Sequence, residues 1–136
     1  MTVDLRNHLL DLPRLTDRLT EWGEQVRIPE PLVRQLDLAL EEIVTNVIAY
    51  AYSDDDEHVI RVDVGVTRGE ITAVVEDDGV PFNPLERAAP DTTAGIEDRE
   101  IGGLGIHIVR ELMDRVRYDR VGNRNRLTIT KLLEPA

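Results

Sequence analysis

Three short stretches of the chain combine residue types and spacings that could do chemistry. In Glu41-Glu42-Ile43-Val44-Thr45-Asn46-Val47-Ile48-Ala49-Tyr50, the residues Glu42, Asn46 and Tyr50 recur every fourth position. On a helix they share one side, away from the apolar stripe of Leu36, Leu40, Ile43 and Val47. A carboxylate and an amide one turn apart can hold a divalent cation through its waters or orient a hydroxyl, and hard oxygen ligands suit Mg²⁺. A solvated helix face has the same composition. In Val74-Val75-Glu76-Asp77-Asp78-Gly79-Val80-Pro81-Phe82-Asn83-Pro84, an apolar run ends in acids, glycine and proline. Asp77 at a sheet end could accept a hydrogen bond from an exocyclic amine such as adenine N6, with Gly79 letting the base approach the backbone; an ordinary turn also reads this way. In Ile101-Gly102-Gly103-Leu104-Gly105-Ile106-His107, three glycines in four residues precede a helical pattern. Free N–H groups at such a helix start form a phosphate site, or the stretch is a plain flexible loop. No Gly-Lys-Ser/Thr follows, so it is not a Walker A loop, and the spacing does not fit a dinucleotide fingerprint.

The elements that must position these residues follow from periodicity. Thr2 to Leu9 alternates loosely, as an edge strand does. Pro13 suits the first turn of a helix carrying Leu15, Leu19, Trp22 and Val26 at spacings of three or four. Ile28-Pro29-Glu30-Pro31 interrupts it, and Leu32, Leu36, Leu40, Ile43, Val47 and Ile48 predict a second helix to about Tyr52. After the acidic turn Ser53–Glu57, the β-branched runs 58–67 and 70–76 predict a hairpin around Arg68-Gly69. Residues 84–101 are polar and aperiodic, which marks a functional flap or a partly disordered connection. A helix from Gly102 to about Val116 and a closing hairpin, 116–121 with 125–133, complete the chain. The expectation is one α/β domain over 1–136: a two-layer sandwich, with a mixed, mostly antiparallel sheet, three main helices on one face and a flap.

Bulk composition narrows the function. The 136 residues are enough for one core. With 41% hydrophobic and 32% charged residues the balance is that of a globular chain. Sixteen basic against 27 acidic residues give a net charge of −11, which repels nucleic acid and anionic membranes and favours a basic protein partner. The absence of cysteine excludes disulfides and thiolate metal sites. The first fifteen residues carry Asp4, Arg6, Asp11 and Arg14, unlike a signal peptide, and no stretch approaches the ~20 apolar residues of a membrane span. A cytoplasmic location is expected. His8, His58 and His107 read as surface residues without a metal role, Trp22 as core, and Asp54–Glu57 as a solvated turn.

Taken in order, Glu-x-x-x-Asn on a helix, Asp-x-Gly after a strand and Gly-x-Gly at a later helix start resemble the GHKL superfamily of ATPases and kinases, whose ATP-binding domain is the Bergerat fold. Its N, G1 and G2 boxes match Glu42/Asn46, Asp77-Asp78-Gly79 and Gly103-Leu104-Gly105, over roughly residues 30 to 133. The texture Asp-Asp-Gly-x-Pro-Phe-Asn-Pro and Gly-Gly-Leu-Gly-Ile-His looks like the anti-sigma-factor serine kinase branch. The resemblance implies ATP and Mg²⁺ as cofactors, with Asp77 binding adenine and Gly79 shaping its pocket. Asn46 would ligate Mg²⁺, and Glu42 would act as the general base toward an acceptor serine. Gly103, Leu104 and Gly105 would offer backbone N–H groups to the phosphates and hinge a lid over 84–101. It implies partners too: a sigma factor or similar regulator, a small STAS-type anti-sigma antagonist as phosphate acceptor, and a second copy, for which an exposed N-terminal strand would suit. Two positions depart from the family pattern. Tyr50 stands where histidine or asparagine is common, and the threonine near the start of the last strand that helps bind adenine in many members is replaced by Arg126 or Leu127, with Thr128 nearby. The competing readings are an ATP-binding interaction module without kinase activity and a detached histidine-kinase catalytic domain.

Overall fold

The alternation read from the sequence becomes a sheet with one apolar and one polar face. The computed structural model describes residues 1–86 and 103–133, with backbone alone at 103–105; the expected lid, beyond its first residues Pro84–Glu86, lies outside them. The elements are β1 (Thr2–Arg6), α1 (Leu12–Gln25), α2 (Glu30–Tyr50), β2 (Val59–Thr67), β3 (Glu70–Asp77), α3 (Gly103–Leu112), β4 (Arg115–Val121) and β5 (Arg124–Leu132), with single 3₁₀ turns at Leu9–Asp11 and Pro84–Glu86. The strand order is β1-β2-β3-β5-β4. Every pairing among the described residues is antiparallel, in keeping with the expected mostly antiparallel sheet.

Period-two burial sends Val3, Leu5, Ile60, Val62, Val64, Ile71, Ala73, Val75, Leu127 and Ile129 toward the helices. The other face is left to polar side chains, tied across strands by Arg61–Asp4 and Arg126–Glu76 ion pairs. Arg68 and Gly69 both adopt left-handed backbone, φ 52° and 79°, as the tight β2–β3 turn requires. The long helix α2 lays Leu36, Leu40, Ile43, Val44 and Val47 on the sheet, and α1 adds Leu15, Leu19 and Trp22. Trp22 is core, as its spacing predicts. Where α1 crosses α2, a Cβ on Gly23 would lie 2.6 Å from a Val33 methyl, so a bare glycine sets the closeness of the two helices.

Two boundaries fall short of the periodic pattern because a carboxylate intervenes. β1 stops at Arg6, whose backbone N–H donates to Asp11 Oδ2 at 2.8 Å and whose guanidinium donates to Asp11 Oδ1 at 3.0 Å. Those hydrogen bonds hold the Asp11 carboxyl down at about 2. α3 ends at Leu112 rather than near Val116. The Asp114 N–H turns to Thr130 O at 2.9 Å and its carboxylate accepts the Leu132 N–H at 2.7 Å, committing the chain to the sheet.

The N-terminal edge strand is less open than expected. Among its outward groups, the carbonyls of Thr2 and Asp4 accept hydrogen bonds from Arg18 and Arg14 of α1, and the Arg6 N–H is taken by Asp11. Side chains thus occupy an edge that another strand could otherwise extend. No described helix is long and apolar enough to cross a membrane.

The inward face of α2 can be tested directly. Leu40 is fully buried and Leu38 is 42% exposed. Leu40→Ala is expected to cost about 3 kcal/mol in urea unfolding, and Leu38→Ala about 0.5 kcal/mol or less.

Candidate functional site

Asp77 is the last residue of β3, and strict alternation after Ile71, Ala73 and Val75 turns its carboxylate to the helix side, 2% exposed. A carboxylate placed there needs donors. Two converge on Oδ1: the N–H of Gly79 at 2.8 Å and Nδ2 of Asn125 at 2.9 Å. Among the described residues Oδ2 has no hydrogen bond. Burial raises the Asp77 pKa, while the Asn125 and Gly79 hydrogen bonds oppose the rise.

Asn125 is the site residue that sequence reasoning missed. It pairs with Asp77 across the β3–β5 ladder and is 3% exposed. Its second amide hydrogen goes to Val80 O at 2.8 Å. Its Oδ1 accepts from the Phe82 N–H at 3.0 Å, the Tyr118 hydroxyl at 2.6 Å and the Arg120 guanidinium at 3.2 Å. Arg120 also donates to Gly79 O at 2.9 Å. The expected substitutes on β5 lie elsewhere. Arg126 and Thr128 belong to the polar face, Arg126 donating to Glu76 Oε1 at 2.6 Å, and Leu127 supplies only an apolar wall. The available signal was the register of the closing hairpin against β3, which local spacing does not reveal.

Gly79 serves a backbone contact. A Cβ there would sit 2.2 Å from the Ala51 carbonyl oxygen at the end of α2, and the Val80 N–H donates to that same oxygen at 2.7 Å. The Asp77–Val80 turn is thereby clamped to α2.

On α2, Glu42, Asn46 and Tyr50 do line up, but they are not a solvated face. Asn46 is fully buried, Glu42 is half-buried, and Tyr50 packs on Phe82 with ring centroids 5.8 Å apart. Asn46 Nδ2 donates to Glu42 O at 2.7 Å, while its Oδ1 is buried with no partner. Such an acceptor costs about 1–3 kcal/mol unless something occupies it. A buried hard oxygen without a donor has the chemistry of a Mg²⁺ ligand. Among the described residues no three His, Cys, Asp or Glu converge as a protein-only metal site. The Glu42 carboxylate has no hydrogen bond or ion pair among the described residues.

α3 begins at Gly103, so the first-turn N–H groups of Gly103, Leu104 and Gly105 have no partner within the helix and can meet an anion. Between α2 and the sheet, Ile43, Val47, Val75 and Leu127 wall a cavity of about 10 Å³, with Asp77 and Asn125 at its polar end and Phe82 and Tyr118 closing it. That is room for about one water.

His58 is not a plain surface residue. Its ring stacks on Tyr52 at 4.2 Å, with Nε2 2.7 Å from Asp54 Oδ1 and Nδ1 3.1 Å from Asp78 Oδ1. It ties the acidic turn to the residue beside Asp77, and the hydrogen bond to Asp54 is the main reason its pKa is raised. The Tyr52 hydroxyl is buried without a partner, and burial, followed by the charges of Asp77 and Asp78, pushes its pKa well up.

The two-layer α/β domain thus carries a buried carboxylate at the sheet end, an unpaired amide oxygen on the central helix and a glycine-rich helix start. The chain belongs to the histidine kinase-like ATPase domain family, whose model matches residues 5–131. It is 26% identical over 114 residues to the serine/threonine-protein kinase BtrW of Bordetella bronchiseptica, covering 84% of this chain and 76% of that protein. It is 28% identical to an anti-sigma F factor of Clostridium novyi, covering 71% and 68%, and 29% identical to the serine-protein kinase RsbW of Bacillus subtilis, covering 71% and 61%. Among solved structures, the RsbU and RsbW domains of a Mycobacterium tuberculosis protein superpose with a TM-score of 0.65 at 14% identity, over 97% of this chain and 31% of that one. The histidine kinase domain of an Erythrobacter litoralis blue-light activated kinase gives 0.55 at 22% identity, over 92% and 60%. This chain therefore spans less than two thirds of either solved chain, and at these identities the likeness is one of fold.

Two outcomes are expected here. Gly79→Ala forces the turn off α2 and lowers stability by about 3 kcal/mol in denaturant unfolding. The His58 contacts favour the charged ring, so their stabilisation is complete below its ordinary pKa of about 6.5 and is lost as pH rises through the raised folded value. The gap in melting temperature between wild type and His58→Gln is then largest near pH 5.5 and shrinks toward pH 8.5.

Proposed function

We propose that this chain is an ATP-dependent protein-serine kinase that acts as an anti-sigma regulator. It would hold a sigma factor or similar regulatory protein and phosphorylate a serine on a small STAS-type antagonist. The observation that carries this reading is the pairing on α2 of an unpartnered, buried Asn46 Oδ1 with a Glu42 carboxylate one turn away that makes no hydrogen bond. The names of the similar proteins support both the kinase and the anti-sigma assignment.

In this reading adenine lies against the β3–β5 end of the sheet and gives an N6 hydrogen to Asp77, with Gly79 shaping the pocket. The N–H groups of Gly103, Leu104 and Gly105 hold the phosphates. Asn46 Oδ1 would hold Mg²⁺, which neutralises phosphate charge when bound. Glu42 takes the proton from the acceptor serine as its oxygen attacks the γ-phosphorus. The bond to the β-phosphate oxygen breaks, and ADP leaves with the electron pair. The net charge of −11 suits a basic partner surface and disfavours nucleic acid and anionic membrane, which agrees with a cytoplasmic regulator.

Calorimetric titration and phosphate transfer test the reading together. Wild type is expected to bind ATP more tightly with Mg²⁺ than without. Asp77→Asn keeps an acceptor for Gly79 and Asn125 but turns an NH₂ toward the adenine amine, so binding weakens about tenfold or more. Glu42→Gln is expected to keep ATP binding and slow transfer to serine on the order of 10²-fold or more. Full activity in that variant would remove the kinase mechanism, and label found on histidine would make this a histidine-kinase catalytic domain instead.

A further inference from the structure

The orientation of Asn125 is settled by partners that have only one role. The Phe82 N–H and the Arg120 guanidinium can only donate, so the oxygen of the amide faces them; Val80 O can only accept, so the nitrogen faces it. Nδ2 therefore presents a hydrogen to Asp77 Oδ1, 2.9 Å away, where the Gly79 N–H also arrives at 2.8 Å. Both amide hydrogens of Asn125 are then spent, one on Asp77 and one on Val80, so Asn125 has none to offer a ligand. It acts through Asp77.

The consequence concerns which base can be read. A carboxylate with two open oxygens matches an edge carrying two adjacent donors, and guanine presents that edge with N1–H beside its N2 amine. Adenine presents a single amine, N6, beside an acceptor, N1, which a second open carboxylate oxygen would repel. Asp77 is held in the intermediate condition: Oδ1 is filled by two donors and Oδ2 has none among the described residues. The N1–H and N2–H of guanine run side by side and match two neighbouring oxygens, so a carboxylate with one oxygen already filled suits the single N6 donor of adenine better.

Resting on the reading of Asp77 as the base-reading carboxylate, we propose that Asn125 is a specificity-determining positioning residue that selects adenine over guanine nucleotides by occupying Oδ1 of Asp77. The other contacts of Asn125 support this role. Hydrogen bonds from Tyr118, Arg120 and Phe82 leave the amide no second rotamer that keeps them, so the occupied oxygen stays occupied.

The test is the ratio of ATP to GTP affinity, measured by calorimetry with Mg²⁺ on wild type, Asn125→Val and Asn125→Thr, with folding checked by thermal melting. Wild type is expected to favour ATP by about 10- to 100-fold, the scale on which a bidentate pair discriminates between bases. In Asn125→Val, a strand-compatible residue without a donor, Oδ1 keeps only the Gly79 N–H and regains an acceptor site, so the ratio falls about tenfold or more, chiefly because GTP binds better. Asn125→Thr returns one hydroxyl donor and is expected to recover much of the preference. Equal loss of both affinities in Asn125→Val, with the ratio unchanged, would overturn the proposal and leave Asn125 a purely structural residue. The wild-type comparison needs no variant: equal binding of ATP and GTP overturns the proposal while the nucleotide site stands. Absence of ATP binding in a folded wild type removes the reading of Asp77 and the proposal with it.

Discussion

A carboxylate at the inner end of a strand is an expensive thing to bury, and much of this molecule is arranged around meeting that cost at Asp77. Its Oδ1 needs donors from close by, and one is the backbone N–H of Gly79, two residues on. For that N–H to turn inward, the chain must run against the end of α2, where the Ala51 carbonyl leaves no room for a Cβ. The second donor comes from a different part of the chain, Asn125, brought opposite Asp77 by the β3–β5 ladder. Local turn, helix end and closing hairpin are thus locked by one charged group.

This lock explains why so many side chains near the sheet end have dual duties. Asn125 joins Asp77 to the Val80 carbonyl, the Phe82 amide, Tyr118 and Arg120, so β4 and the segment after β3 share one acceptor. Phe82 in turn meets Tyr50 on α2. On the other side of the turn, Asp78 reaches His58 and through it Asp54. Val80, Phe82, Tyr118 and Arg120 each lie within two hydrogen bonds of the Asp77 carboxylate, and Tyr50 one ring contact further.

Asn46 shows the complementary arrangement. Most buried polar atoms here have partners, yet its Oδ1 has none, although the amide nitrogen is tied back to the helix. Holding an acceptor bare on a rigid helix stores a preference for whatever cation or donor arrives, since the desolvation has already been met in folding. Across the rest of the molecule the outward sheet face carries cross-strand ion pairs, and arginines of α1 bind the outward carbonyls of Thr2 and Asp4.

Much of the fold was legible because periodicity is a local property. The stripe on α2, the alternation of β2 and β3 and the Arg68-Gly69 turn each report their own burial, and the helices and hairpins appear where these patterns predict. The boundaries at Arg6 and Leu112 were not legible, because Asp11 and Asp114 end those elements through hydrogen bonds to the backbone. In the same way Glu42, Asn46, Asp77 and the Gly103–Gly105 start could be named as candidates by residue type and spacing within single elements. Asn125 could not, since an asparagine after a turn has no distinguishing context until pairing sets it opposite Asp77. His58 looked like surface until Asp54 and Asp78 met around it. What the sequence by itself determined was which residues have the chemistry for a nucleotide and which faces must be buried, because both depend on neighbours a few positions away. What only the tertiary structure decided was that Oδ1 of Asp77 is filled from β5 and that Arg120 reaches the Gly79 carbonyl, because groups 48 and 41 residues apart are brought within hydrogen-bond reach.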